Sequence, residues 1–256
     1  MNPVIWRVRD ADSADLATIS HWLRREALPA TAPGEAVLVA ARADDPAAHA
    51  QVTLRLVPRI GLVLPRVSFH VGCTVHAAPE LALFHRQRTL QLGHDHTGCA
   101  ELADIARAPR LDDRSATDAL LALAHAALDR RVARSGDFGT DLVAELPGLR
   151  DADGSAPFWQ GLGRHFYAGD IAAAAAEHGP GWRSHVAALL PRQTVSTAFL
   201  PEATQAAIGA VHPGARWQWA ALTEIGLRDS HHVNVEDGGP VLEMPLPAPE
   251  SAPSAG

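Results

Sequence analysis

The alternation of apolar and polar positions predicts a sheet of short strands separated by helices. Apolar side chains alternate with polar ones over residues 51–57 and again from Val67 to Cys73, as in half-buried strands. The apolar run over residues 36–41 (AVLVAA) predicts a further strand, and so does the segment 141–146 (DLVAEL). Shorter strands are expected over residues 4–8, 90–92, 101–106, 233–237 and 241–243.

Helical spacing of apolar residues, together with capping side chains, predicts the helices. The acidic run at residues 10–15 can cap a helix that continues to about residue 25. Ser115 or Thr117 can cap a long Ala/Leu helix that continues to about residue 134. Shorter helices are expected over residues 157–162, 169–178, 181–190, 201–211 and 216–224.

This order of elements predicts an α+β (α/β) fold, with a mixed, mostly antiparallel sheet flanked by helices. It is the general plan of acyl-CoA-dependent N-acyltransferases, although many sheets share that plan. A chain of 256 residues can form one large domain, which we expect over residues 1–243. Residues 244–256 are rich in Pro, Ala and Ser, so we expect a disordered tail there.

The composition restricts the class of function. The hydrophobic fraction of 47% is sufficient for a buried core, and the net charge of −7 argues against nucleic-acid binding, which needs a basic face. No apolar run reaches the roughly 20 residues of a membrane span, and the first residues lack the layout of a secretion signal. Cys73 and Cys99 form neither a disulfide framework nor a zinc pattern. We therefore expect a cytoplasmic protein that acts on small molecules, without a nucleic-acid or membrane partner.

The stretch of residues 69–105 concentrates polar side chains between strands. His94, Asp95 and His96 are followed by Thr97 and Gly98, whose backbone N–H groups could face a carbonyl or a phosphate. In α/β proteins, polar groups at the end of a sheet commonly bind ligands. His94 and His96 would share one side of an extended segment, but they lack a third ligand at a diagnostic spacing. We expect a polar loop there and no metal.

Two carboxylates and one loop are further candidates. Glu101 and Glu145 lie in strand-like segments, where each could receive a guanidinium ligand by bidentate hydrogen bonds or form a structural salt bridge. The loop of residues 110–117 (RLDDRSAT) leads into the long helix, where N-terminal N–H groups can hold a phosphate. Arg110 and Arg114 favour that use, whereas two acids and the lack of glycine disfavour it.

His212 precedes a proline at the expected C-terminal end of a helix. The helix dipole at that end favours a protonated imidazole, which could give a proton to a leaving group. A histidine that only caps the helix is the alternative. The sequence contains no Gly-x-Ser-x-Gly motif, Walker-type loop or dinucleotide-binding fingerprint.

Six segments, in matching order and spacing, resemble the arginine N-succinyltransferase family. They are VGCTVHAAPEL (71–81), TLQLGHDHTGCAEL (89–102), VAELPG (143–148), SAPFWQGLGRHF (155–166), IGAVHP (208–213) and DGGPVLE (237–243). The resemblance covers about residues 67–243, roughly two thirds of the chain.

The resemblance implies a GNAT-like acyltransferase that moves succinyl from succinyl-CoA to the α-amine of L-arginine, or of ornithine, in arginine catabolism. Succinyl-CoA is then a substrate, and no permanently bound cofactor is implied. The family's proton-donating histidine falls on His212, which would protonate the departing CoA sulfur. Its succinyl-CoA contact falls on Ile105, where backbone N–H groups would hold the oxyanion. We add Asp95, Glu101 or Glu145 as our own candidates for binding the guanidinium group. The family also suggests a homo- or hetero-oligomer.

The segment expected to bind the CoA pyrophosphate departs from the family. The family's R-x-x-G-N-G loop aligns with residues 112–117, where Ser115 and Thr117 replace both glycines and an acid replaces the arginine. Arg110, Arg114 and Ser115 remain as candidate contacts. Two alternatives therefore stay open. One is a CoA-impaired paralogue that acts as a non-catalytic binding or partner subunit, and the other is a GNAT enzyme with another amine acceptor.

Overall fold

A computed structural model describes residues 4–25, 28, 31–45, 48–133 and 138–247, without the side chains of 132, 133 and 180. The strands are β1 (Trp6–Asp10), β2 (Ala36–Arg42), β3 (Val52–Val57), β4 (Ser68–Ala78), β5 (Leu83–Gly93), β6 (Ala100–Arg107), β7 (Asp141–Glu145), β8 (Val195–Ser196), β9 (Arg228–Asn234) and β10 (Pro240–Pro245). Within the described residues they form one ten-stranded sheet in the order β1-β2-β3-β6-β7-β10-β9-β4-β5-β8. Only β6 and β7 are parallel among these neighbours, which confirms the mixed, mostly antiparallel sheet.

The helices follow the expected order. They are α1 (Ser13–Trp22), α2 (Asp113–Ala133), α3 (Pro157–Gly161), α4 (Ile171–His178), α5 (Trp182–Ala187), α6 (Glu202–Ala207) and α7 (Arg216–Glu224). The predicted cap of α2 is wrong, because Ser115 and Thr117 lie inside the helix and the Asp112 carboxylate accepts the Ser115 N–H at 2.9 Å. The expected end of this helix near residue 134 borders residues 134–137, which lie outside the described part. None of the described helices is long and apolar enough to cross a membrane.

Two apolar clusters hold the helices against the sheet. The first packs β2, β3, β6, β7 and β10 against α2 and α7, with Leu120 and Leu123 of α2 fully buried. The second packs β4 and β9 against α3 to α6, with Phe69 and Phe158 in an edge-on contact. Helix α1 covers the opposite face of β2 through Ile19, since successive strand residues point to opposite faces.

β6 and β7 separate after a short contact. Their parallel pairing joins Ala100 to Leu142 and Glu101 to Val143, and residues 102–107 form no further ladder with the described residues of β7. A β-bulge opens the same strand further along, because Asp104 and Ile105 together oppose one residue of β3. Asp104 has a positive φ of 49°, the left-handed conformation that lets the strand turn at this point. The two strands therefore diverge beyond this contact, and we call the gap between them, with Ile105 on its β6 side, the V-shaped cleft.

Three boundaries differ from the prediction. β4 and β5, of eleven residues each, form a hairpin longer than the predicted strands, because its outer part is exposed on both faces and needs no apolar alternation. β9 begins and ends earlier than expected, and residues 235–237 form a turn. β10 continues to Pro245, beyond the strand end expected at residue 243, and Leu246 is buried, while the domain boundary at residue 243 stays a prediction. The expected tail lies largely in residues 248–256, outside the described residues.

Candidate active site

Helix α7 and the turn before it contact both strands of the V-shaped cleft. The His212 N–H donates to the Pro147 carbonyl at 2.8 Å, just beyond the end of β7. On the other side, Gln218 Nε2 donates to the Ile105 carbonyl at 3.1 Å. His212 and Gln218 thus bond to opposite sides of the cleft, which puts His212 on the β7 side and Ile105 on the β6 side.

The expected helix end at His212 is wrong. α6 ends at Ala207, and His212 instead caps a 3-10 turn, Pro213–Ala215, that leads into α7. Its Nδ1 atom accepts the Gly214 N–H at 3.0 Å. A helix C-terminus therefore cannot favour a protonated imidazole here. Because the Nδ1 lone pair is occupied, Nε2 is the nitrogen that carries the proton in the neutral ring and is left for a substrate.

The N-terminus of α2, where a pyrophosphate was expected, already holds a carboxylate. Backbone and side-chain hydrogen bonds from Ser115 hold the pKa of Asp112 below its usual value. The Ser115 N–H is therefore occupied, while Arg110 and Arg114 are exposed and form no ion pair with a described residue. The neighbouring Arg107 forms an ion pair with Asp113 at 2.7 Å, so its guanidinium group is not free to bind a phosphate.

Glu101 and Glu145 belong to a continuous chain of ion pairs, which we call the arginine–carboxylate ladder. Its members, in order of contact, are Glu101, Arg66, Glu145, Arg183, Glu236, Arg150 and Asp237. Arg66 contacts Glu101 and lies 2.9 Å from Glu145. Arg183 lies 2.7 Å from Glu145 and 3.0 Å from Glu236. The two carboxylates that we expected to bind a guanidinium thus bind guanidinium groups of the chain itself.

Burial and charge compete within this ladder. Burial raises the pKa of Glu101 above its usual value, even though Arg66 opposes the rise. Burial acts in the same direction on Glu145, but Arg66 and Arg183 prevail and hold its pKa below the usual value. The charged form of Glu145 is therefore stabilised inside the protein, as the structural salt-bridge alternative anticipated.

The polar loop of residues 94–98 does not present the groups expected of it. His94 is exposed and His96 is buried, so the two rings do not share one side. The Thr97 N–H donates to the His94 carbonyl at 2.9 Å and the Gly98 N–H to the Ile60 carbonyl at 2.7 Å, so neither faces a ligand. Across the described residues, no group of three or more His, Cys, Asp or Glu side chains could hold a metal ion.

Asp95 contacts His232, a histidine that no pattern in the sequence singled out. Its carboxylate lies 3.0 Å from His232 Nε2, while His232 Nδ1 faces the Ser230 carbonyl at 2.9 Å. Both ring nitrogens of His232 therefore face oxygen atoms that can accept a hydrogen bond. His96 packs edge-on against His232 at 4.5 Å between ring centroids. Burial, and then the nearby charge of His232, lower the pKa of His96 to about 4.

A cavity of about 360 Å³ lies between β4 and β9. The polar side chains around it are His70, Arg88, Asp229, His231 and His232. The adjacent histidines at positions 231 and 232 are the one signal in the sequence that could have pointed to this cavity. The cavity itself depends on a break in strand pairing between segments far apart in the chain, and no local pattern predicts such a break.

The comparisons with known proteins agree with this fold. A family model described as "Arginine N-succinyltransferase beta subunit" matches residues 11–249. Proteins named Arginine N-succinyltransferase from Salmonella paratyphi B and Salmonella newport are each 36% identical over 187 residues, covering 73% of this chain and 54% of the relative. The chain thus spans about half the length of the curated relatives it matches.

A solved structure gives a second comparison. The arginine/ornithine succinyltransferase subunit AI from Pseudomonas aeruginosa superimposes with a TM-score of 0.72 at 20% identity, over 95% of this chain and 77% of that one. At this identity the likeness shows the fold alone, and it confirms the acyltransferase fold that the sequence predicted.

Proposed function

Since the chain belongs to the arginine N-succinyltransferase family, we propose that it transfers succinyl from succinyl-CoA to the α-amine of L-arginine, with ornithine as a second acceptor. The V-shaped cleft carries this proposal, because His212 adjoins one strand of the cleft and Ile105 lies on the other. A cleft between two separating strands gives the thioester access to backbone groups that have no ladder partner.

The donor thioester lies beside the bulge in this proposal. A β-bulge leaves backbone groups of the extra residue outside the ladder, and in β6 this happens at Asp104 and Ile105. N–H groups there would face the carbonyl oxygen and stabilise the negative charge that develops during attack. Succinyl-CoA enters as a substrate, with Arg110 and Arg114 as exposed cations for its pyrophosphate. Ser115, whose N–H binds Asp112, would contact the donor only after that carboxylate is displaced.

The chemistry needs no group beyond the two substrates and His212. The neutral amine attacks the thioester carbonyl carbon, the C–S bond breaks, and an amide forms. The proton that the amine nitrogen loses in the tetrahedral intermediate is the one that the departing sulfur gains, so the protons balance without a net change at His212. Because its Nδ1 atom accepts the Gly214 N–H, His212 keeps its Nε2 proton and donates it as a hydrogen bond that stabilises the negative charge on the departing sulfur.

A thiol-release assay with succinyl-CoA and L-arginine tests this function. We expect His212→Ala to lower kcat by about 100-fold, within the range for loss of a hydrogen-bond donor that stabilises developing charge. His125→Ala, at an exposed position of α2, is the matched control and should keep full turnover. Equal turnover in wild type and His212→Ala would remove His212 from the mechanism.

One observation favours the alternative of a CoA-impaired partner subunit, namely the Asp112 carboxylate at the N-terminus of α2. Thermal unfolding with succinyl-CoA or free CoA separates the two functions. A ligand at about 100 times its dissociation constant should add about 2.7 kcal/mol of stability. Absence of any stabilisation at millimolar donor would support the partner subunit and contradict the enzyme.

Assembly and location are also proposals. The matching family model is described as a beta subunit and the structural neighbour as subunit AI. These names support the proposal that this chain joins another copy or a different subunit. Analytical sedimentation of the purified chain, alone and with a candidate partner, measures the mass of the assembly and so tests this proposal. The cytoplasmic location expected from the sequence stays a prediction.

A further inference from the structure

The acceptor amino acid needs a site that the ladder does not offer. An α-amino acid with a cationic side chain presents a carboxylate at one end and a positive charge at the other. Glu101 and Glu145 already hold Arg66 and Arg183, and Asp95 holds His232. Binding a substrate guanidinium at any of these carboxylates would require breaking a protein contact first.

The cavity between β4 and β9 arises where two strands part. β4 pairs with β9 only from Ser68 to His70, after which β4 continues beside β5 alone. β9 leaves its regular register at the same level, where His231 adopts a positive φ of 58°. Strained backbone of this kind persists where surrounding structure maintains it and is frequent at ligand sites. The resulting volume of about 360 Å³ is within the usual range for small-molecule sites.

Two opposite charges face this cavity without neutralising each other. Arg88 lies on β5, and its Nη2 atom donates to the Ile208 carbonyl at 3.3 Å, which fixes its position. Asp229 lies on β9, and its Oδ1 atom accepts the His231 N–H at 2.9 Å. Neither side chain forms an ion pair with any residue in the described part of the chain. A positive group and a negative group on two walls of one cavity are complementary to an amino acid with a cationic side chain.

The loop that joins α6 to α7 connects this cavity to His212. Gly209 lines the cavity and His212 follows three residues later. Three residues span at most about 11 Å, so the two positions are close. Arg88 bonds to this same loop, which places the carboxylate-binding end of the cavity on the side of His212. An amino acid held by its carboxylate at Arg88 therefore has its α-amine, rather than its side chain, on the side of the loop that carries His212.

We propose that the cavity between β4 and β9 is the acceptor site, with Arg88 binding the α-carboxylate and Asp229 binding the cationic side chain of arginine or ornithine. This assignment rests on the proposed function, because it names the acceptor subsite of the same reaction. It makes Arg88 and Asp229 specificity-determining residues.

Calorimetric titration with matched ligands tests the assignment group by group. Arg88→Met should weaken binding of L-arginine about ten- to a hundredfold, as expected for a lost charged hydrogen bond, and leave arginine methyl ester unchanged. Asp229→Asn should weaken the binding of L-arginine to a similar extent. It should leave the binding of citrulline, which has a neutral side chain, unchanged. Arg86→Met and Asp118→Asn are controls at exposed positions that do not line the cavity.

Four outcomes of these titrations would overturn or uphold the assignment of the acceptor site. Equal losses for arginine and its methyl ester in Arg88→Met, or no loss for arginine in either variant, would overturn the assignment. So would a wild-type protein that does not bind L-arginine at millimolar concentration. If Arg88→Met fails to fold by circular dichroism, Arg88→Gln replaces it. Binding that depends on both residues without thiol release from succinyl-CoA would uphold the site and overturn the proposed function.

Discussion

The ladder and the cavity between β4 and β9 contain the same kinds of side chain in opposite arrangements. In the ladder, three arginines and four carboxylates alternate, and every charge has a partner within the protein. Around the cavity, Arg88 and Asp229 stand on separate strands without an ionic partner among the described residues. The types of residue in a cluster therefore do not show whether it binds a ligand. Whether each charged side chain already has an ionic partner within the protein is more informative.

The difference has an energetic reason. A buried carboxylate without a partner is costly, so a buried acid between strands attracts an arginine of the chain during folding. A charge at the rim of a cavity keeps water as a partner until a ligand displaces it. Stability should depend on the ladder, and substrate binding should depend on the cavity.

Removing an arginine from the ladder should have the largest effect on stability. Arg183→Met leaves Glu145 and Glu236 without their shared partner, and we expect a loss of about 3 kcal/mol, at the lower end for a broken buried pair because the groups are partly solvated. Urea unfolding measures it. Arg42→Met, which removes an exposed pair with Asp44, is the control and should leave the midpoint unchanged. A midpoint equally unchanged in Arg183→Met would show that the ladder contributes nothing to stability.

The histidines beside the cavity should make stability depend on pH. Burial, and then the charge of His232, lower the pKa of His96 from its usual 6.5 to about 4. Below pH 6.5 the unfolded chain takes up a proton that the folded protein takes up only near pH 4, so stability falls as the pH decreases through that window. Between pH 7 and 4.5, wild type should lose about 2 kcal/mol more than His96→Asn.

Chemical denaturation at a series of pH values supplies this measurement. His125→Asn, at an exposed position of α2, serves as the control and should follow the wild-type profile. Parallel profiles for wild type and His96→Asn would contradict a neutral, buried His96.

The smallest effect is expected at the N-terminus of α2, where the chain's own carboxylate takes the place expected for a phosphate. Asp112→Asn keeps an oxygen that can accept the Ser115 N–H but removes the negative charge. We expect free CoA to bind about two- to fivefold tighter at low salt, in line with the size of charge effects at helix ends. Calorimetry at low and high salt tests this, and weaker CoA binding in the variant would show that Asp112 assists the donor.

The sheet and its helices could be predicted because they depend on local patterns. The acidic run ending at Asp15 caps α1, and the alternation over residues 51–57 appears as β3. The resemblance supplied His212 and Ile105, which no local pattern would have joined. The sequence could not show that Asp112 caps α2, because Ser115 and Thr117 have the same capping chemistry and only the local backbone decides among them.

The partners of the carboxylates could not be predicted for a different reason. Arg66 and Arg183 are distant in sequence from Glu101 and Glu145, and many arginines in the chain were equally available. The cavity depends on the irregular register at His231, which arises from the meeting of β9 with β4 and β10. Such features follow from tertiary packing and become visible only once the strands are placed.

A crystal structure of the protein grown with saturating L-arginine tests the acceptor site and the ladder together. We expect electron density for the amino acid between Arg88 and Asp229, with its carboxylate on Arg88 and the ladder unchanged. Density at Glu101 or Glu145 with displacement of Arg66 or Arg183, or an empty cavity at saturation, would contradict this expectation.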